Sequence, residues 1–173
     1  MIRGETITLR TIREADLETL YDFHQDIGNR GRYYPLGIMS EPVFKEKFQD
    51  SGFWEEEKGM MLIVKGKKIL GHIEFFETVS YLDELELAIH IYEEQSRGRG
   101  IATEATQLMT GYLFDSKKIN RIRLIIQPGN RASKRVAEKC GYRREGVARG
   151  AWYHRGENKD VEVYAQLRDE FNS

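Results

Sequence analysis

The chain has 173 residues, of which 40% are hydrophobic and 32% charged, with a formal net charge of −1. That length suits one domain, residues 1–173, with enough chain to bury a real core, and the composition is that of a folded globular protein rather than a disordered one. The balanced charge argues against general nucleic-acid affinity, the single cysteine, Cys140, excludes an intrachain disulfide, and neither a signal peptide nor an apolar run long enough to span a bilayer is visible, so a cytoplasmic protein with no nucleic-acid or membrane partner is expected.

Thr6 to Arg10 alternates, with Ile7 and Leu9 on one face, and predicts a strand. From about Glu14, the residues Leu17, Leu20, Tyr21 and His24 recur at helical spacing. Ser40-Glu41-Pro42 is a helix entry, with Ser40 as N-cap and Pro42 in the first turn, and it points Val43, Phe44 and Phe48 at the core. Met60 to Val64 and Ile69 to Phe76 flank Lys65-Gly66-Lys67-Lys68 and predict a hairpin. Leu85, Leu87, Ile89 and Ile91 alternate with Glu84, Glu86, Ala88 and His90 as another strand. Ile101, Ala105, Leu108, Met109, Tyr112 and Leu113 form a helical stripe. Arg121 to Gln127 is a strand, and Arg131 to Cys140 a short helix closed by Gly141. Two strands, about 142–152 and 159–167, end the chain. The implied fold is α/β, a mixed and mainly antiparallel central sheet flanked by helices. The strands on either side of the 101–116 helix run parallel if that helix is their crossover.

The stretch Gln95-Ser-Arg97-Gly98-Arg99-Gly100-Ile101-Ala102-Thr103 joins a strand to a helix. Gly98 and Gly100 let the main chain approach a ligand closely. The helix leaves its first N–H groups without intrahelical partners and adds the positive end of its dipole. The result is a site for a phosphate or pyrophosphate. It is not a P-loop, because no Gly-Lys-Ser/Thr follows Gly100, and position 103 is Thr where a dinucleotide fingerprint needs a third small residue. Kinase signatures are absent. A plain strand-to-helix turn with solvated arginines is the alternative.

This loop resembles the pyrophosphate loop Gln/Arg-x-x-Gly-x-Gly/Ala of the GNAT superfamily of acetyl-CoA-dependent N-acetyltransferases. A second segment, Asn130-Arg-Ala-Ser133-Lys134-Arg-Val-Ala-Glu138-Lys139-Cys-Gly141-Tyr142, is similar to the Asn-x-x-Ser…Glu-Lys-x-Gly-Phe/Tyr segment of the ribosomal-protein-alanine acetyltransferase branch. The opening Leu9-Arg10 through Asp16 and the ending Leu167-Arg168-Asp169-Glu170 are similar to that branch as well.

The resemblance implies direct attack of an amine on the acetyl-CoA thioester, with no metal. It puts the pyrophosphate on the main chain of Arg97, Gly98, Arg99, Gly100, Ile101, Ala102 and Thr103, and the pantetheine arm along Ile89, His90 and Ile91 as an added strand. For that, the sheet has to splay between the 85–92 and 121–127 strands. A main-chain N–H near Ile89 or His90 serves the oxyanion. By the same resemblance Ser133, the Ser of Asn-x-x-Ser, reaches the CoA sulfur and serves it as it leaves; the Tyr acid that many relatives place one turn on is replaced here by Ala137, and Tyr142 is the alternative donor. Asn130 and Lys134 are further cofactor contacts. Glu86 leads as the base that deprotonates the amine, with Glu84, Glu74, His72 and His90 as competitors. Tyr33, Tyr34 and Trp152 are expected to wall the acceptor pocket, although the branch often carries an acid where Trp152 stands. The expected partners are acetyl-CoA and a primary amine, on a protein N-terminus or a small metabolite or drug, in a monomer or homodimer. The rival reading is a non-catalytic acyl-CoA-binding module.

Overall fold

A computed structural model describes residues 1–28 and 30–171. Eight strands, β1 (Ile2–Arg3), β2 (Thr8–Thr11), β3 (Lys58–Lys65), β4 (Lys68–Phe76), β5 (Glu84–Ile91), β6 (Arg121–Ile126), β7 (Arg143–His154) and β8 (Glu157–Leu167), form one sheet in the order β1-β2-β3-β4-β5-β6-β8-β7. Helices α1 (Leu17–Gln25), α2 (Glu41–Ser51), α3 (Ile101–Ser116), α4 (Arg131–Lys139) and α5 (Arg168–Phe171), with single 3-10 turns at Glu14–Asp16 and Glu94–Ser96, complete the described elements. The expected α/β fold with a mainly antiparallel sheet is what forms: β5 and β6 are parallel, and the other neighbours are antiparallel. Among the described residues, no helix is long and apolar enough to cross a membrane.

Strand alternation divides the interior in two. On one face Ile63, Ile73, Phe75, Leu87 and Ile122 meet the α3 stripe, Ala105, Met109 and Leu113, together with Ala137 of α4. On the other face Leu62, Val64 and Tyr92 meet Leu20 of α1 and Phe44 of α2. Val43 departs from expectation: it is 41% exposed, because Phe44 and Phe48 occupy the inward side of α2 and Val43 precedes them by a helical rotation that points outward. The two tight hairpins turn on Gly66 and on Arg155-Gly156, all in the left-handed region, where hairpin turns demand it. Arg168 donates to the carbonyls of Phe114, Lys117 and Ile119, closing the C-terminal end of α3.

The functional geometry begins where β5 and β6 part. They pair only as Glu84↔Arg121, Leu85↔Ile122 and Glu86↔Arg123. Beyond this, β5 continues to Ile91 against β4, and β6 continues to Ile126 against β8. The expected splay is therefore present. Its root is held by an ionic cluster: Arg123 reaches Glu84 (2.8 Å) and Glu86 (3.0 Å), and Arg121 bridges Glu84 and Glu145.

Gly71 of β4, which the sequence did not single out, shapes the far end of the splay. The His90 carbonyl of β5 occupies the space that a Cβ at position 71 would take. Gly71→Ala therefore forces the 90–91 backbone to shift, and we expect it to lower stability by about 1–3 kcal/mol, a fall in Tm of roughly 3–10 °C. Thermal unfolding checks this. Gly146→Ala, where nothing lies within 4 Å of an added Cβ, is the neutral control.

Candidate active site

The loop after β5 makes one short turn, Glu94–Ser96, before α3 begins. Gly98 has φ 73° and Gly100 φ 83°, values that favour glycine. No atom lies within 4 Å of a Cβ built on either, so the space in front of the loop is open. Glu104 is the first amide of the helix to find a main-chain acceptor, Gly100 O at 3.0 Å. The amides of Ile101, Ala102 and Thr103 are left to point into the same space. A diphosphate suits this cradle on charge, shape and donor count.

The arginines of the loop divide. Arg97 donates from Nε to Ile91 O and from Nη2 to Tyr92 O, both at 3.2 Å. Its side chain thus ties the end of β5 to the loop, although the residue as a whole is exposed. Arg99 is exposed.

On the β6 side of the cleft, α4 is capped by Asn130, whose Oδ1 accepts from the Ser133 amide at 3.1 Å. The Asn130 side chain thus has a capping task. Ser133 is half-buried on the helix face it shares with Ala137 and Cys140, and its hydroxyl takes no protein partner among the described residues. Lys134 pairs with Glu162 at 2.9 Å, which offsets the charge expected for a phosphate. The Tyr142 hydroxyl lies in the core against Thr110 Oγ1 at 2.6 Å, and burial lifts its pKa above the ordinary tyrosine range. Cys140 is buried with Sγ 3.5 Å from Thr103 O, and burial pushes its thiol up to about 11, as suits a structural residue.

The opposite face of the sheet carries the acid–base groups. Glu74 of β4 stands opposite Ala88 of β5 in the register, and Glu86 is the next residue of β5 on the same face. The small Ala88 side chain leaves room between the two carboxylates. Burial, and then the charge of Glu86, raise Glu74 to about 7. Burial also raises Glu86, but Arg123 pulls it back. Glu86, the leading base on sequence grounds, is thus held in an ion pair, while Glu74 takes no hydrogen bond or ion pair among the described residues.

Three histidines of this face, His24, His72 and His90, are less basic than normal. His72 is fully buried, with Nδ1 2.8 Å from Tyr92 Oη and Nε2 3.1 Å from Tyr34 Oη. Burial, then the charges of Arg97, His24 and Arg30, holds His90 down to about 4. Burial and Arg30 do the same to His24, also about 4. All three are neutral and poor proton acceptors near neutral pH.

The segment between α1 and α2 straps this face. Buried Arg30 donates from Nη1 to Pro35 O (2.8 Å) and Gly37 O (2.7 Å), and from Nη2 to His24 O. The Tyr34 ring stacks on His90 with centroids 4.1 Å apart. Tyr33 Oη donates to Gly129 O at 2.8 Å, spanning from the strap to the loop before α4. Trp152 stacks on His154, whose Nε2 donates to Arg32 O at 2.9 Å. Tyr33, Tyr34 and Trp152 thus flank one region. Arg30 and Arg123 were missed in the sequence because their partners are set by tertiary contacts, whereas Gly71 carried a signal, a lone glycine inside a strand.

Residues 6–143 match the family model for the acetyltransferase (GNAT) domain. The chain is 28% identical over 172 residues to the uncharacterized N-acetyltransferase YnaD of Bacillus subtilis, covering 99% of each. It is 22% identical over 171 residues to the ribosomal-protein-serine acetyltransferase of Escherichia coli, covering 96% of this chain and 95% of that one. Among solved structures, the spermidine N-acetyltransferase of Vibrio cholerae in complex with CoA and spermine superposes with a TM-score of 0.85 at 19% identity, over 98% of this chain and 100% of that one.

Proposed function

The chain belongs to the GNAT family of acetyltransferases, which take their acyl group from acetyl-CoA, and from that premise we propose that it acetylates a primary amine by direct attack on the thioester. The supporting observation is the splay: two parallel strands that separate after three residue pairs, with the open amides of 101–103 at one end of the gap and two carboxylates across its floor. A non-catalytic acyl-CoA-binding module would need the first feature and not the second.

Acetyl-CoA supplies the activated acyl carbon; the chain's own groups do the rest. The loop amides hold the diphosphate, and the free edge of β5 at Ile89 to Ile91 pairs with the pantetheine arm. An amide of that edge donates to the oxyanion as charge develops on it. Glu74 takes the proton from the incoming ammonium and passes it to solvent. Glu86, kept charged by Arg123, supplies the neighbouring negative charge that keeps the Glu74 carboxylate basic. As the new C–N bond forms and the C–S bond breaks, the Ser133 hydroxyl donates to the departing sulfur. The overall change is ammonium plus thioester to amide, thiol and one proton. A protein N-terminus and a small amine are both compatible with this chemistry.

The test is release of free thiol from acetyl-CoA in the presence of a pool of primary amines and N-terminal peptides. We expect Ser133→Ala to lower kcat by about tenfold or more with little change in acetyl-CoA affinity, since a donor aimed at developing charge acts mainly in the transition state. An unchanged kcat removes Ser133 from the mechanism.

A further inference from the structure

The residues that follow Tyr34 and the tip of the β7–β8 hairpin enclose a groove next to the acceptor face. Pro35, Leu36 and Gly37 form one wall, and Trp152, Tyr153 and Arg155 the other. The groove holds about 380 Å³, within the roughly 300–1,000 Å³ typical of small-molecule sites. Tyr34 links the groove wall to the carboxylate face along the chain: its ring lies on His90, and Pro35 is the next residue. Trp152 is held in orientation by stacking on His154, with centroids 4.3 Å apart and planes 21° from parallel.

Charge changes sign along this path. The inner end has the carboxylates of Glu74 and Glu86. At the outer end Arg155 lines the groove and is exposed, exposed Arg32 lies beside it through its carbonyl's bond to His154, and Glu157 at the hairpin is paired with Lys159. The strap above is tied at two points, by Tyr33 Oη to Gly129 O and by His154 Nε2 to Arg32 O.

We infer that the acceptor is a compact primary monoamine with an apolar, ring-bearing body, its ammonium between Glu74 and Glu86 and its ring against Trp152 and Leu36. This rests on the acetyl-transfer reading above. A polyamine would bring a second ammonium to the arginines of the rim, where like charges repel. A peptide would have to continue past a strap fastened on both sides.

Initial rates at fixed acetyl-CoA with 2-phenylethylamine, spermidine and a pentapeptide bearing a free α-amine test the inference. We expect kcat/KM for 2-phenylethylamine to exceed the other two by about tenfold or more, and Trp152→Ala to raise its KM by a similar factor with kcat and CoA affinity unchanged. Trp152→Phe, which keeps a ring, should restore most of the loss. Preference for spermidine or the peptide overturns the inference, as does a KM indifferent to Trp152→Ala. If acetyl-CoA binds to the wild type but none of these amines is acetylated, the acceptor assignment falls and the cofactor site stands. If acetyl-CoA does not bind to the wild type, both fall together.

Discussion

Gly98→Glu is expected to abolish acetyl-CoA binding while leaving the fold intact. The residue sits with φ 73° and no atom within 4 Å of an added Cβ. A Cβ there meets no protein atom, and the folding penalty of the first side-chain atom reduces to backbone strain of about 1–2 kcal/mol. What the side chain does meet is the open space in front of the amides of 101–103. A carboxylate in that space accepts the hydrogen bonds meant for the diphosphate and repels its charge. We expect an affinity loss of roughly 10²–10³-fold, the equivalent of about 3–4 kcal/mol. Gly98→Ala separates the contributions, keeping the strain without the charge, and should lose far less. Gly66→Glu is the matched control: φ is 59° and the space is equally open, but the position lies in the β3–β4 turn. Calorimetric titration with acetyl-CoA reads all three. Undiminished binding by Gly98→Glu would remove the loop from the cofactor site.

The loop was legible from sequence because its chemistry is local. Two glycines, a strand before and a helix after are adjacent in the chain, and helix geometry then fixes where the amides point. The hairpins and the α3 stripe were legible for the same reason, each being a pattern repeated within about a dozen residues. Strand β1 was not, since two residues, Ile2–Arg3, carry no period. Val43 failed because an apolar residue at a helix start does not say which neighbour takes the inward side.

The acceptor face was legible only in part. Glu86 and Glu74 were both visible as strand-face carboxylates, but their order of merit depends on Arg123, 37 residues beyond Glu86. Likewise, Tyr33 reaches Gly129 across 96 residues and His154 reaches Arg32 across 122. Such contacts follow from strand order and register, which a single sequence fixes weakly. Periodicity assigns residues to faces; the partner on that face comes from a different element.

The division of labour between the two carboxylates yields the prediction with the widest consequences, because removing Glu74 should affect activity and stability in opposite directions. Its folded pKa is raised from 4.5 to about 7, through burial and then the charge of Glu86. A carboxyl raised in this way favours the folded state below pH 4.5, where it is protonated in both states, and loses that contribution as pH rises through 7. At pH 8 the protein therefore carries a half-buried charge that destabilises it, by roughly 3–4 kcal/mol at about 1.4 kcal/mol per pKa unit. The groups facing Glu74 add no relief: Glu86 is like-charged, Ala88 and Met60 are apolar, and the nearby Tyr34 and Tyr92 hydroxyls are engaged by His72. Glu74→Gln keeps the shape and removes the charge. We expect it to unfold at higher temperature than the wild type at pH 8 and to show no such gain at pH 4. Over the same change, kcat/KM should fall by about 10²–10⁴-fold, the usual contribution of a positioned general base. In the wild type the rate should rise with pH through an apparent pKa near 7, and the variant should lose that limb. Glu86→Gln differs in kind: it leaves Glu74 without its like-charged neighbour and Arg123 without one partner, so the limb should persist but move to lower pH. A Glu74→Gln protein that keeps its turnover, or a limb that stays in place in Glu86→Gln, would show that the proton goes elsewhere.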